Sequence, residues 1–210
     1  MKEYNLLLRS NLHLSRKAWH VLTGSFALFI TFYLGLNSMQ AGLLSGLIFL
    51  TGLVIELIRL RFVSVNDFIL KYFGRLFRKE EKNSLSGVTF YALGVSLTFF
   101  IYEWHIAIIS ILILIFADPI ASTFGILIKS KKIFRQKTIV GFFSCFVVSF
   151  ITTAIYINLV NMSFSFVFIF LVALIGALSE MFSFVDDNLM IPLLSGFGIK
   201  LVSILVNYSF

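Results

Sequence analysis

The feature that most constrains this chain is a series of long apolar stretches separated by short polar segments. A helix needs about 20 mostly apolar residues to cross the hydrocarbon core of a bilayer. Seven stretches approach that length, at residues 20–36, 39–58, 87–102, 104–117, 139–160, 164–185 and 189–208. The sequence therefore predicts an all-α, polytopic integral membrane protein with about seven transmembrane helices, organised as a single domain over residues 1–210.

Composition supports a membrane class and excludes several others. With 59% hydrophobic and 13% charged residues, the 210 residues hold more apolar surface than a soluble domain of this length can bury. Cys145 is the single cysteine, so neither a disulfide framework nor a cysteine-based metal site is available. The net charge of +7 indicates contact with anionic lipid or phosphate groups rather than with nucleic acid.

The basic residues predict the orientation of the chain. Nearly all of the 17 Lys and Arg residues fall in residues 1–19, 59–86 and 129–138. Positively charged loops favour the cytoplasmic side of a membrane. The N-terminal segment and both loops are therefore expected to be cytoplasmic, and any site that these segments form is expected on that face.

Residues 62–77 have the pattern of an amphipathic helix rather than of a span. The apolar residues recur mostly at intervals of three and four, with polar residues between them, and they are Phe62, Val65, Ile69, Tyr72, Phe73 and Leu76. Such a helix is expected to lie in the cytoplasmic interface of the bilayer. A solvated linker with scattered aromatic residues is the alternative.

Acidic residues inside or beside the apolar stretches are the first indication of a polar site. They are Glu56, Asp118, Glu180, Asp186 and Asp187. A carboxylate at membrane depth costs about 3 kcal/mol on insertion scales, so such residues usually serve a function. Under the predicted topology all of them end spans on the cytoplasmic side. Glu180 and Asp187 would share one face if their helix is continuous, and Pro119 favours a helix break after Asp118.

Basic residues are predicted in the same cytoplasmic layer as these acids. Lys137 and Thr138 precede the span at 139–160, where the free amides of a helix start favour anions, while Lys17 and His20 lie at the start of the first span. Carboxylates and a helix-start Lys are complementary halves of a metal–nucleotide site. Structural explanations stay open: Glu56 can simply pair with Arg59, Asp186 and Asp187 can cap the next helix, and Lys17 and His20 can snorkel to the interface.

The order of these motifs resembles the polyprenol kinase family. The motifs are RKAWHVLTG (16–24), Glu56 to Arg59, SGVTFYALG (86–94), ADPIASTFG (117–125), KTIVG (137–141) and EMFSFVDDNLMIP (180–192). That family groups dolichol kinases, phytol kinases and CTP-dependent diacylglycerol kinases, and it is related to the CDP-diacylglycerol synthases. The resemblance extends from residue 16 to about residue 198.

The resemblance implies an enzyme that transfers the γ-phosphoryl group of CTP, with Mg²⁺, to the hydroxyl of a membrane lipid alcohol such as a polyprenol, a phytol-like isoprenoid or diacylglycerol. Asp118 and Asp187 are the expected metal ligands. The expected catalytic residues are Asp118, Glu180, Asp186, Lys17 and His20. The expected nucleotide-binding residues are Lys137, Thr138, Gly141, Arg59, Ser86 and Gly87.

Two other functions fit the same residues. A lipid cytidylyltransferase would use the same nucleotide and metal but attack the α-phosphorus and release pyrophosphate. A transporter would also line a cavity with acidic and basic side chains. The acceptor lipid is not encoded in any motif, because each candidate presents one hydroxyl on an apolar tail.

Overall fold

The computed structural model describes residues 12–163 and 165–206. Lys2 and Arg9, which belong to the predicted cytoplasmic N-terminal segment, lie outside the described residues. Residue 164 of the predicted span 164–185 and the last residues of the span 189–208 also lie outside them.

Helices dominate the described part of the chain. They are α1 (Leu14–Tyr33), α2 (Ser38–Arg61), α3 (Val63–Phe73), α4 (Gly87–Ile101), α5 (Trp104–Leu112), α6 (Asp118–Leu127), α7 (Ile139–Leu159), α8 (Phe166–Met181) and α9 (Asp187–Leu205). Short 3₁₀ helices follow α3 at Gly74–Leu76 and Lys79–Asn83. Strands β1 (Lys132–Phe134) and β2 (Lys137–Thr138) pair antiparallel.

The all-α architecture predicted from the sequence is confirmed. Within the described residues, four helices are long and apolar enough to cross a membrane, at Ser38–Arg61, Trp104–Leu127, Ile139–Leu159 and Asp187–Leu205. Helices α4 and α8 are apolar but shorter. The count of seven spans and the cytoplasmic N-terminus stay predictions.

The helix from Trp104 to Leu127 is the centre of the bundle. About two thirds of its most apolar window (67%) is buried inside the protein, against 17% for α2. Its residues Ile106–Ile109 and Ile113–Ile115 are almost completely buried and form the middle of the core. Apolar side chains of α2 such as Leu47, Ile48 and Val54 face outward instead, as expected of a helix at the lipid-facing periphery.

The predicted end of the fourth span before Asp118 is wrong. The chain passes from α5 through a π-helical segment, Ile113–Ala117, directly into α6. Pro119 does not break this helix, because it stands at the first turn of α6, where a missing amide hydrogen does least harm. Asp118 therefore lies within a continuous apolar helix and not at its end.

The condition under which Glu180 and Asp187 would share one face, a continuous helix, is not met. Helix α8 ends at Met181, and α9 begins at Asp187. Asp186 is the N-cap of α9, and its side chain accepts a hydrogen bond from the amide of Asn188 at 3.0 Å. The capping explanation considered for Asp186 is thus the correct one locally, since an Asp favours a helix start.

The two polar loops predicted at 59–86 and 129–138 contain regular secondary structure. Helix α3 and the first 3₁₀ helix coincide with the predicted amphipathic segment, with Leu70 and Phe77 buried and Phe68 and Tyr72 exposed. Its position in a membrane interface stays a prediction. The second loop contains the β1–β2 hairpin, which ends where α7 begins.

Candidate functional site

A cavity of about 590 Å³ opens where the starts of α1, α7 and α9 meet α6 and the hairpin. Of the described residues, its acidic lining consists of Asp118, Glu180, Asp186 and Asp187, and its Lys and Arg lining consists of Arg16, Lys17, Arg78, Lys132 and Lys137. Four motifs that lie far apart in the sequence therefore contribute to one pocket of mixed charge. Its volume is in the range of ligand-binding pockets.

Lys137 joins two of the carboxylates. Its Nζ lies 2.7 Å from Glu180 Oε1 and 3.1 Å from Asp187 Oδ1. Strand β2 holds Lys137 beside the start of α7, and α8 and α9 bring the two acids to it. Burial lowers the pKa of Lys137, but the charges of Asp187, Glu180 and Asp118 outweigh burial and raise it above its usual value. Lys137 is therefore a permanent cation at this position.

Small residues allow α6 to approach α7 beneath Lys137. The Oγ1 atom of Thr138 would lie 3.0 Å from a Cβ added at Gly125, and the carbonyl oxygen of Ala121 would lie 3.3 Å from one added at Gly141. Larger side chains at either position would push the two helices apart. Gly141 thus acts through packing and lies on the wall of the cavity.

The expected set of free amides at the start of α7 is absent from this structure. Thr138 Oγ1 accepts a hydrogen bond from the amide of Gly141 at 3.1 Å and is the N-cap of the helix. The amide of Ile139 donates to the carbonyl of Lys131, and that of Val140 donates to Ser130 Oγ. Because each of these donors has a partner, the positive charge available to an anion comes from side chains.

Asp118, the first residue of α6, lines the cavity. It has no hydrogen bond or ion pair with any of residues 12–163 and 165–206. Among the acids, Asp187 has the strongest electrostatic effect on Asp118. An aspartate at the edge of a cavity that holds other acids and no partner of its own is a natural oxygen ligand for a cation.

The donor set fits a magnesium ion that shares its coordination with a nucleotide. Glu180 Oε2 is buried and has no hydrogen-bond partner. No group of three or more His, Cys, Asp or Glu residues in the described part of the chain is arranged to hold a metal by itself. Mg²⁺ usually binds one or two carboxylates and takes its remaining ligands from water and phosphate. Asp118 and Asp187 are two carboxylates of the cavity lining that could hold such an ion.

His20 lines the cavity and also contacts the central helix. Its Nε2 lies 3.0 Å from the carbonyl oxygen of Leu114, so this nitrogen carries a hydrogen. The ring packs edge-on against Tyr91, with ring centroids 4.5 Å apart. Its neighbour one turn earlier, Lys17, donates from Nζ to Thr123 Oγ1 at 2.9 Å and so also contacts α6. Helix α1 thereby fixes the segment that carries Asp118.

Asp186 lines the cavity from the loop before α9. Burial raises the pKa of its carboxyl, and although the Asn188 amide opposes this effect, the pKa reaches about 6. A carboxylate with a pKa near neutrality is suited to accept a proton at physiological pH.

Arg59, Ser86 and Gly87 are not part of the described cavity lining. The guanidinium of Arg59 is fully buried and donates to Glu56 Oε2 at 2.6 Å and to the carbonyl of Ser84 at 2.8 Å. The amides of Ser86 and Gly87 donate to the carboxylates of Glu56 and Glu81. Arg59, Ser86 and Gly87 therefore stabilise the structure around the cavity without lining it.

Sequence reasoning missed three of the cavity's cations. Arg16 directly precedes Lys17 in the first motif, so adjacency was an available signal. Lys132 and Arg78 reach the cavity because the hairpin and the segment after α3 fold back toward it. No local pattern in the sequence indicates that fold-back.

The chain is similar to proteins over most of its length. An uncharacterised protein of Rickettsia prowazekii is 34% identical over 186 residues, which cover 85% of this chain and 88% of that protein. The CTP-dependent diacylglycerol kinase 1 of Eremothecium gossypii is 30% identical over 144 residues, covering 67% of this chain and 45% of the kinase. The CTP-dependent diacylglycerol kinase 1 of Schizosaccharomyces pombe is 29% identical over 194 residues, covering 86% and 88% respectively. No family model and no solved structure matches the chain.

Proposed function

The chain belongs to one family with the Rickettsia prowazekii protein, and the relatives above with a named activity are CTP-dependent diacylglycerol kinases, so we propose that it is a CTP-dependent membrane lipid kinase. It transfers the γ-phosphoryl group of CTP to the hydroxyl of a membrane lipid. Diacylglycerol is the first acceptor to test because the relatives' names specify it.

The observation that carries this proposal is the pairing of Lys137 with Glu180 and Asp187 in a cavity that also contains Asp118. Acids and a base from three separate segments of the chain line this one cavity. Phosphoryl transfer needs little covalent chemistry from a protein and depends on positioning and on neutralising charge. A site of mixed charge at the edge of a bundle exposed to lipid meets both needs.

Each residue has a role in the proposal. Asp118 and Asp187 would hold Mg²⁺, which when bound neutralises charge on the phosphate oxygens. Lys137 binds the same oxygens directly, and Thr138 and Gly141 set its position through the cap and the packing of α7. Lys17 and His20 hold α6 so that Asp118 stays in the cavity. Glu180 balances the charge of Lys137 from the buried side.

The transfer step balances without any further reactant. The lipid oxygen forms a bond to the γ-phosphorus while the bond from that phosphorus to its bridging oxygen breaks. The electron pair of the broken bond leaves with CDP, and the hydroxyl proton passes to a carboxylate. Asp186 is the acceptor we favour, because its pKa of about 6 leaves it ionised at neutral pH, whereas Glu180 is engaged with Lys137.

The test is a lipid-acceptor screen with the purified protein in mixed micelles and CTP labelled at either the α or the γ position. We expect label to pass to lipid from the γ position and CDP to be released. Asp118→Ala and Lys137→Ala should abolish transfer, whereas Lys200→Ala, which breaks an exposed ion pair with Glu103, should not. Full activity of both cavity variants would contradict the assignment of the site.

The same experiment separates the alternatives. Transfer of label from the α position with release of pyrophosphate would identify a cytidylyltransferase. Solute flux into liposomes that depends on Asp118 but consumes no nucleotide would identify a transporter.

A further inference from the structure

Arg78 differs from every other Lys or Arg of the cavity lining. Its Nε is buried and has no hydrogen-bond partner. Nor does its guanidinium form an ion pair with any of residues 12–163 and 165–206. A buried guanidinium nitrogen without an acceptor costs free energy, and that cost is removed when a ligand supplies the acceptor.

The remaining cations are engaged. Arg16 Nη1 lies 2.8 Å from each carboxylate oxygen of Glu81, and Lys132 Nζ donates to Gln136 Oε1 at 2.7 Å. Lys17 donates to Thr123, and Lys137 is held by two acids. Within the described part of the cavity, Arg78 is therefore the cation whose side chain is available for an anion.

The segment that carries Arg78 is held rigidly. Glu81 Oε2 accepts a hydrogen bond from the backbone amide of Arg78 at 2.8 Å, and Glu81 Oε1 accepts one from the amide of Gly87 at 3.1 Å. One buried carboxylate thus joins the backbone of Arg78 to the start of α4 and, through Arg16, to α1.

Arg59 also holds the segment that carries Arg78. It donates to the carbonyl oxygens of Glu81, Lys82 and Ser84, and its guanidinium lies 5.1 Å from the ring centroid of Phe77. Arg78 follows Phe77 directly. Because the backbone is already fixed, the conformational entropy lost on binding an anion is limited to that of the Arg78 side chain.

We propose that Arg78 binds the γ-phosphoryl group of the nucleotide and stabilises the charge on its oxygens during transfer. This inference rests on the proposed function and adds a residue that no sequence motif indicated. A guanidinium matches the geometry of phosphate oxygens with two parallel hydrogen bonds and keeps its proton throughout the reaction. It lies in the cavity with Asp118, Asp186 and Asp187, so it adds a positive charge to the one that Lys137 supplies.

The experiment compares Arg78→Gln, Arg78→Lys and the matched control Lys79→Gln, which removes an adjacent exposed cation. Transfer from γ-labelled CTP should fall about 100- to 1000-fold in Arg78→Gln, the size seen when one transition-state donor is removed. Arg78→Lys should recover only part of this loss, because an ammonium cannot form the two parallel bonds. Lys79→Gln should stay within about twofold of the wild type.

A second readout needs no turnover. The increase in thermal stability caused by CTP or by CDP is measured with Mg²⁺ and without lipid, since a ligand that binds the folded protein stabilises it in proportion to its affinity. The wild type should prefer CTP over CDP, and Arg78→Gln should lose that preference while it still binds CDP. This result also shows that the variant is folded.

Failure of the inference and failure of the proposed function have different signatures. An active wild type with unchanged transfer and unchanged CTP preference in Arg78→Gln overturns the inference alone. An equal loss in Lys79→Gln overturns it as well, because the effect would then be a general one of surface charge. A wild type that transfers no γ-label to any lipid overturns the proposed function.

Discussion

His20 Nε2 lies 3.0 Å from the carbonyl oxygen of Leu114, and it supplies a hydrogen-bond donor that the helix backbone lacks at this position. In the π-helical segment the amide of Asp118 donates to Ile113, five residues back, instead of to Leu114. The next residue, Pro119, has no amide hydrogen. The Leu114 carbonyl is left without a backbone donor, and the imidazole of α1 takes that place.

We therefore expect His20→Leu to lower the free energy of unfolding by about 1 to 3 kcal/mol, since it leaves a buried carbonyl unsatisfied. Asp118 follows this segment, so kcat should fall as well. Thermal unfolding in detergent and the γ-phosphoryl transfer assay measure the two effects. His20→Gln retains a donor and should recover part of both; if it recovers neither, His20 does not act through this bond.

The Lys137–Glu180 pair should be important for stability as well as for activity. Lys137→Met removes the counter-charge of the buried Glu180 and of Asp187, and breaking such a pair typically costs about 3 to 5 kcal/mol. Chemical denaturation in mixed micelles measures the loss. Lys137→Met/Glu180→Gln should regain part of the stability but no activity.

Lys200→Met is the control for that comparison. It breaks the pair between Lys200 and Glu103, whose side chains are 43% and 54% exposed, so it should cost less than about 1 kcal/mol. A Lys137→Met variant as stable as Lys200→Met would show that the cavity pair contributes nothing to the fold.

Asp186 should control the acid limb of the pH–rate profile. Its carboxyl must be ionised to accept the hydroxyl proton, and burial raises its pKa to about 6. The rate should therefore be constant at neutral pH and fall about tenfold per pH unit well below pH 6. Asp186→Glu should move the limb to a different pH. Ionisation of the nucleotide would produce a limb that this substitution leaves in place.

Arg59 should be a structural residue of the first importance. Its guanidinium is buried and bonded to Glu56 and to backbone carbonyls of residues 81–84. Arg59→Gln leaves Glu56 and those carbonyls short of donors and should lower the free energy of unfolding by about 3 to 5 kcal/mol. Arg61→Gln, at the exposed end of the same helix, should change it by less than about 0.5 kcal/mol. Equal effects of the two substitutions would contradict this role.

Hydropathy and charge predicted much of the fold because both are local properties of the sequence. The apolar runs gave helices α2, α7 and α9 within a few residues, and the three-to-four spacing gave α3. Helix ends depend on single residues and contacts, which explains the errors. Pro119 predicts a break, but the chain continues from the π-helical segment into α6. The sequence places Asp186 and Asp187 at the end of the sixth span, whereas Asp186 caps α9 and Asp187 begins it.

The same limit applies to the site. Asp118, Lys137 and Asp187 stand in recognisable motifs, and the fold brings them into one cavity. Arg78 lies in no motif, and its place depends on how Arg59 and Glu81 tie one loop to three helices. Long-range contacts of this kind leave no periodic trace in the sequence.

Gly94 shows that an uncharged residue can determine the geometry of the site. Any side chain there would collide with the backbone carbonyl of Asn188, so α4 and α9 touch main chain to main chain. The acids Asp186 and Asp187 directly precede Asn188, whose side-chain amide donates a hydrogen bond to the carbonyl of Gly87 at the start of α4. Replacing one hydrogen atom of Gly94 by a methyl group would thus push α4 away from α9 at Asn188, which lines the cavity. Activity would be lost with every polar residue intact.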